Sequence, residues 1–179
     1  MKRRTYLGAV GMAALSGCSA LSGGNPTDDV GESYTTDAEI ELTVDQLETQ
    51  AGGSVTLGNG SDINSASSAV TFVLPHLVAT NTTESALSVP AVSSFKLLSD
   101  GVRQDPYRVD YSEIMDSLES TIAEPVSGPL FPETTELGPE EETEGWLVFT
   151  VPNAGSTVVL ELRLNDDVQY SWSLSVGQS

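Results

Sequence analysis

Two side chains in this 179-residue chain are the only ones of their type: the thiol of Cys18 and the imidazole of His76. A lone cysteine excludes an internal disulfide framework and any multi-cysteine zinc site. His76 sits inside the apolar run VTFVLPHLVAT at 70–80, with no second His or Cys to complete a transition-metal site, so a structural role is expected for it. Drawing His76 into a Ser-His-Asp arrangement would give hydrolase chemistry, but no Gly-x-Ser-x-Gly elbow accompanies it. Glu140-Glu141-Glu142 with Glu144, and Asp166-Asp167, could offer oxygens to a hard cation such as Ca2+. Neither run has the alternating Asp/Asn-Gly loop of a calcium cage, and solvated acidic turns are expected. Gly52-Gly53-Ser54 and Gly58-Asn59-Gly60 lack the Lys or helix start that follows a phosphate-cradling loop. No catalytic residue, metal site or cofactor is therefore expected. Trp146, Tyr170 and Trp172 fall in strand-like runs, where core packing is expected over a sugar platform. Asn59-Gly60-Ser61 and Asn81-Thr82-Thr83 fit the N-glycosylation acceptor pattern, or are turns that match it by chance.

The chemistry available to Cys18 depends on what precedes it. Lys2-Arg3-Arg4 is a positive start, and Tyr6 to Leu15 is a short apolar stretch. Ten residues at about 1.5 Å each cover roughly half of a 30 Å hydrocarbon core, too little for a transmembrane helix. Arg3-Arg4-Thr5-Tyr6-Leu7 resembles the twin-arginine export pattern. Leu15-Ser16-Gly17-Cys18 resembles a lipobox: small residues admit a peptidase, and the thiol supplies the sulfur of a thioether to a diacylglyceryl group. Two acyl chains are the requirement for stable anchoring, since one gives only marginal binding. The competing reading is an accidental cysteine in an ordinary cleaved signal peptide.

The charge distribution fits a discarded leader. The chain carries 7 Lys plus Arg against 26 Asp plus Glu, and three of the cations are Lys2, Arg3 and Arg4. Removing residues 1–17 leaves four cations (Lys96, Arg103, Arg108 and Arg163) against 26 acids, a formal charge of -22. Such a chain repels nucleic-acid phosphates and anionic lipid head groups, so neither a nucleic-acid partner nor a polybasic-type membrane role is expected. With 39% hydrophobic residues it is not an acidic disordered protein. Scarce lysine with abundant Asp, Glu, Thr and Ser resembles the proteins of halophilic archaea, where at 1 M salt the Debye length is about 3 Å and self-repulsion is screened.

Ser19 to Asp37 has no apolar period and is expected to be a flexible polar tether following the lipidated Cys18. From Ala38 to the end the period is mostly two, and one folded domain over 38–179 is expected. Ile40, Leu42 and Val44 alternate with polar residues; strands are also predicted at 54–57, 70–80, 94–99, 144–151, 157–164 and 168–176. Pro75 demands an edge, bulge or bend within its strand. Asn165-Asp166-Asp167 is hairpin-turn chemistry. Ile114, Met115, Leu118 and Ile122 follow helical spacing behind Ser112 as N-cap, predicting one short inserted helix over 113–124. About seven strands, one helix and frequent turns predict an all-β antiparallel sandwich, with a barrel as the alternative.

Leu137-Gly138-Pro139-Glu140-Glu141-Glu142-Thr143-Glu144-Gly145-Trp146-Leu147-Val148-Phe149-Thr150-Val151-Pro152 resembles the signature of the DUF4352 family: a Pro/Gly/Glu turn, a Gly and a large residue, Leu-Val-Phe, and a Val-Pro ending. Val78 to Thr83 and Phe95 to Gly101 resemble that family's Asn turn and Asp-Gly hairpin. The likeness spans roughly 38–176 and implies an immunoglobulin-like sandwich related to secreted mycobacterial antigens of the MPT63 type. It implies an extracytoplasmic lipoprotein and no catalytic residues. The expected function is a lipid-anchored module facing the outside, held in the membrane through Cys18, with an envelope or surface protein as partner. The alternatives are an accessory solute- or ion-binding lipoprotein, and a hydrolase using His76.

Overall fold

The structure, a computed structural model, describes residues 29–64, 70–108, 121–152 and 157–176. In chain order the strands are β1 (Ser33–Thr35), β2 (Ile40–Ala51), β3 (Ser54–Leu57), β4 (Asp62–Asn64) and β5 (Val70–Asn81). Next come β6 (Leu87–Ser88), β7 (Phe95–Ser99), β8 (Val102–Gln104), β9 (Thr121–Glu124) and β10 (Gly128–Pro129). The last are β11 (Glu136–Leu137), β12 (Glu142–Trp146), β13 (Phe149–Pro152), β14 (Thr157–Leu164) and β15 (Asp167–Ser175).

Three antiparallel sheets lie in layers, and β6 and β11 form a small two-stranded sheet besides. The central sheet runs β1-β2-β5-β12, with β13 also paired to β5. The front sheet runs β15-β14-β7-β8, and the back sheet β10-β9-β3-β4. All are open, so the architecture is a sandwich and not a barrel. The larger core packs Ile40, Leu42, Val44, Val73, Leu77 and Ala79 of the central sheet with Phe95, Leu97, Leu160, Trp172 and Leu174 of the front sheet. Each large apolar side chain buried there stabilises the fold by about 1.5–3 kcal/mol. The opposite face of β5 presents Phe72 and Leu74 to Val55, Leu57 and Ile122 of the back sheet, a second core.

The register of β2 on β5 is shifted between Val44 and Gln46. Continued alternation from Ile40, Leu42 and Val44 would turn Gln46 and Glu48 into the core. The extra residue, Asp45, is a β-bulge that puts Leu47 against the core instead. Pro75 lies in the middle of the sheet, opposite Leu47. On its other side the partner strand changes from β12 to β13, and Leu147 N donates to the Pro75 carbonyl at 2.9 Å. The missing N–H of Pro75 thus faces a step in the ladder, and the bulge that proline requires lies in the strand beside it.

Two expectations are corrected. Residues 113–120 lie outside the described set, but Thr121–Glu124 form strand β9, not the end of a helix. The β-branched pair Thr121-Ile122 suits a pleated surface, and Ile122, paired with Leu57 and Gly128, is buried in the second core. Among the described residues the one helical turn is the 3-10 turn Val92–Ser94. The fold also begins before Ala38. Ser33–Thr35 pairs with Glu41 to Thr43, Asp29 N donates to Ser173 O at 2.9 Å, and Trp172 Nε1 donates to Glu32 O at 3.0 Å. Residues 29–37 of the expected tether therefore belong to the sandwich. The turn between β14 and β15 is as expected: Asn165 (φ 53°) and Asp166 (φ 67°) form a two-residue turn of left-handed residues.

Gly145 is where two backbones meet. A Cβ there would stand 2.5 Å from Phe131 N and 2.7 Å from Leu130 C. Gly145→Ala is expected to destabilise the domain by about 2–3 kcal/mol, read as a lower midpoint in denaturant; an unchanged midpoint would show that this approach is not tight.

Candidate functional site

His76 points away from the larger core, and its side chain is 8% exposed. Its Nδ1 lies 2.7 Å from Asp45 Oδ1, and its ring packs against the indole of Trp146 at 4.7 Å between centroids. Asp45 is the bulge residue, so the imidazole fastens the bulge to the strand beside it. Trp146 is closed in from above by Gly128, where a Cβ would lie 3.0 Å from Nε1. A His-Asp pair is the start of general-base machinery, but here the ring sits under an indole and its chemistry is to hold the register of β2.

Glu141 serves a turn, its Oε2 accepting from Gly138 N at 2.7 Å, while Glu142 stands in β12 with its Oε2 accepting from Thr80 Oγ1 across the strand pair at 3.2 Å. Among the described residues, no group of three or more His, Cys, Asp or Glu converges on a metal position. Asn81 is fully buried: its amide donates to the carbonyls of Ser85 (2.7 Å), Leu137 (3.1 Å) and Gly138 (2.8 Å), and its Oδ1 accepts from Thr83 N at 2.9 Å. That nitrogen is enclosed by the turn it organises, so the folded domain cannot take a glycan at Asn81. Asn59 sits on an exposed turn, its Oδ1 accepting from Ser61 N at 2.8 Å. Trp172 is fully buried and Trp146 nearly so, while Tyr170 stacks on Tyr34 with centroids 4.5 Å apart. Arg3, Arg4, Leu15, Ser16, Gly17 and Cys18 lie outside the described residues.

The solvent face of the front sheet carries a built charge cluster. Glu161, in the middle of β14, is 6% exposed although it points outward. Arg103 grips both of its oxygens, Nε to Oε2 at 2.8 Å and Nη2 to Oε1 at 3.3 Å, and Arg163 Nη1 reaches Oε2 at 3.3 Å. Lys96, opposite Glu161 on β7, pairs with Asp105. The Arg103 hydrogen bond, with Arg103 and Arg163 charge behind it, outweighs burial and holds the Glu161 carboxyl below its ordinary range. The sequence reading missed this site. Its signal was Glu161 and Arg163 at strand spacing inside TVVLELRL; Arg103 arrives from 58 residues away and has no local signature.

A separate groove of about 450 Å³ opens between edge strand β4 and the segment after β8, lined by Asp62, Ile63, Asp105, Tyr107, Val148 and Thr150 among others. Tyr107 is 39% exposed, and its N donates to Val148 O at 2.7 Å, which fixes the groove wall.

No protein-family model matches the chain, and no curated protein matches it. Among solved structures it is similar to a conserved hypothetical protein from Bacillus anthracis, at 14% identity and a TM-score of 0.52, over 83% of this chain and 95% of that one. It is also similar to ycdA of Bacillus subtilis, named as a candidate lipoprotein, at 15% identity and a TM-score of 0.50, over 83% of this chain. The chain spans only 39% of the length of ycdA. At such identities the likeness shows the β-sandwich fold alone.

Because its folded-state pKa is lowered, Glu161 stabilises the domain above the usual carboxylate value of about 4.3, and that contribution is lost as pH falls through the lowered pKa. Glu161→Gln is expected to cost about 1.5–3 kcal/mol at neutral pH and to flatten the acid limb of a melting-temperature profile. A wild-type and a variant profile that run parallel below pH ~4 would contradict this role.

Proposed function

We propose that the chain is a lipid-anchored extracytoplasmic module of the DUF4352 kind, immunoglobulin-like, with a binding or structural role at the cell surface and no catalysis of its own. The observation that carries this reading is the leader: a basic start, Arg3-Arg4, a short apolar stretch and Leu15-Ser16-Gly17-Cys18, all in register. The likeness to a sandwich protein named as a candidate lipoprotein supports it. So does the engagement of the one histidine in holding a bulge. The acidic surface fits export by a halophilic archaeon. Partners are sought among envelope proteins at the outer face of the membrane.

Export of the intact chain in its native host tests the anchor. Wild-type protein is expected to gain the mass of a diacylglyceryl group on Cys18 and to partition into detergent; Cys18→Ser is expected in the aqueous phase, and Arg3→Lys with Arg4→Lys to accumulate as precursor. Wild-type protein recovered unlipidated from the culture fluid sinks the reading.

The groove beside Tyr107 favours a second reading, an accessory solute-binding lipoprotein. Asp62, Tyr107 and Asp105 line this groove together, a carboxylate and aromatic lining suited to a small organic cation that would compete with Lys96 for Asp105. Choline is the probe: saturating ligand at about 100 times its Kd would stabilise the fold by about 2.7 kcal/mol, and Tyr107→Ala should abolish the shift. An unmoved melting temperature across choline concentrations removes this reading.

A further inference from the structure

Asn59-Gly60-Ser61 and Asn81-Thr82-Thr83 fold into the same local turn. In each, the backbone N and the hydroxyl of the third residue both donate to the asparagine Oδ1, at 2.8 and 2.6 Å from Ser61 and at 2.9 Å twice from Thr83. The surroundings are opposite. Asn81 is fully buried, with its Nδ2 shared among three carbonyls. Asn59, Gly60 and Ser61 are all exposed at the tip of the hairpin that joins β3 to β4. Gly60 has a φ of 83°, and a Cβ there would meet nothing within 4 Å. The tip therefore stands in solvent, with room for a large group beside it.

The two turns also differ in what it takes to reshape them. The hairpin tip is closed by Leu57 N donating to Ser61 O at 2.7 Å and Gly60 N donating to Leu57 O at 2.9 Å. Strand β4 is three residues long and pairs with β3 alone among the described residues. A short strand at a sheet edge opens locally for much less than the cost of global unfolding. Asn81 instead ends β5, the strand between the two cores, and is paired there with Ile40. Releasing its amide means undoing its bonds to Ser85, Leu137 and Gly138 together.

That contrast gains weight from the state in which the chain leaves the cell, a step that rests on the export reading above. Arg3-Arg4-Thr5-Tyr6-Leu7 resembles a twin-arginine signal, and that route carries chains already folded. A modifying enzyme on the outer side then meets the finished sandwich and not an extended chain. Accessibility in the fold decides which acceptor it can use.

We infer that Asn59 is an N-glycosylation site of the exported protein and that Asn81 is not, the donor being an oligosaccharide carried on a lipid phosphate. In the transfer, Nδ2 of Asn59 bonds to C1 of the first sugar. The bond from C1 to the phosphate oxygen breaks, its electron pair leaves with the lipid phosphate, and one Nδ2 proton passes to a base of the membrane transferase. Ser61 supplies the hydroxyl that the acceptor pattern requires two residues on. The glycan would project from the back sheet, while the chain from Cys18 enters at Asp29 against the front sheet. Two layer spacings, about 20 Å, separate the two, so a bulky sugar at Asn59 is not pressed between the domain and the bilayer.

Mass mapping of the full-length protein purified from membranes of its native host tests the assignment. Cleavage between Ser61 and Asp62 puts the two asparagines on different peptides, and the glycan mass is expected on the Asn59 peptide alone. Asn59→Asp keeps an Oδ1 for the turn but has no amide nitrogen, and Ser61→Ala keeps the nitrogen but has no hydroxyl. Each should lose the whole glycan mass, whereas Ser61→Thr should keep it; the wild-type map decides the matter if a variant does not fold. Lipidated protein whose Asn59 is bare, or merely deamidated beside Gly60, overturns the proposal and leaves the anchor intact. A glycan on Asn81, or one that survives Asn59→Asp, overturns it as well. Protein held inside the cell as precursor overturns the export reading and the proposal with it.

Discussion

Strand β5 is the wall shared by two cores, and the rest of the domain is arranged around that constraint. Its odd-numbered residues Val73, Leu77 and Ala79 face the front sheet, and its even-numbered Phe72 and Leu74 face the back sheet. A strand buried on both faces and paired on both edges tolerates no slip, because moving one residue would exchange the two cores' contents. The proline in its centre is accommodated only because one neighbour bulges and the other steps at the same level. The His76–Asp45 contact holds the first of these adjustments. The chain's one histidine is thus part of what keeps a twelve-residue strand in register.

The β-prone run VTFVLPHLVAT and the alternation of VQYSWSLS are written locally and were legible as strands; that the first is buried on both faces shows only in the packing of the sheets around it. The helix over 113–124 was misread at its end because Ile122 continues a helical spacing that its pairing with Leu57 and Gly128 overrules. The start of the domain was misplaced for a different reason. Ser33-Tyr34-Thr35 is polar and short, and becomes a strand only because β2 offers it an edge and Tyr170 offers Tyr34 a ring to stack on. Asn81 matched an acceptor motif, yet the same Asn-x-Thr pattern also builds a turn in which the threonine bonds back to the asparagine oxygen. Motif letters do not separate those two uses; burial does.

Electrostatically the chain illustrates how few cations an acidic sandwich needs. Arg108 ties to Glu133 and the other three cations beyond residue 17 gather around Glu161 and Asp105. The Arg103–Glu161 and Arg108–Glu133 bridges join segments distant in sequence and act as cross-links, whereas Arg163 reaches Glu161 along its own strand.

The stitching of Asp29 and Glu32 to Ser173 and Trp172 brings the first described residues against the last strand. Mechanically, this closes the domain into a loop of load. Any pull arriving through the residues before Asp29 acts first on the two hydrogen bonds to Ser173 and the indole bond behind them, which lie side by side along one strand edge and share the force in shear. The strain is then divided between the front sheet at β15 and the central sheet at β1. A domain joined in this way can be tugged from its N-terminal side without its terminal strand peeling away alone.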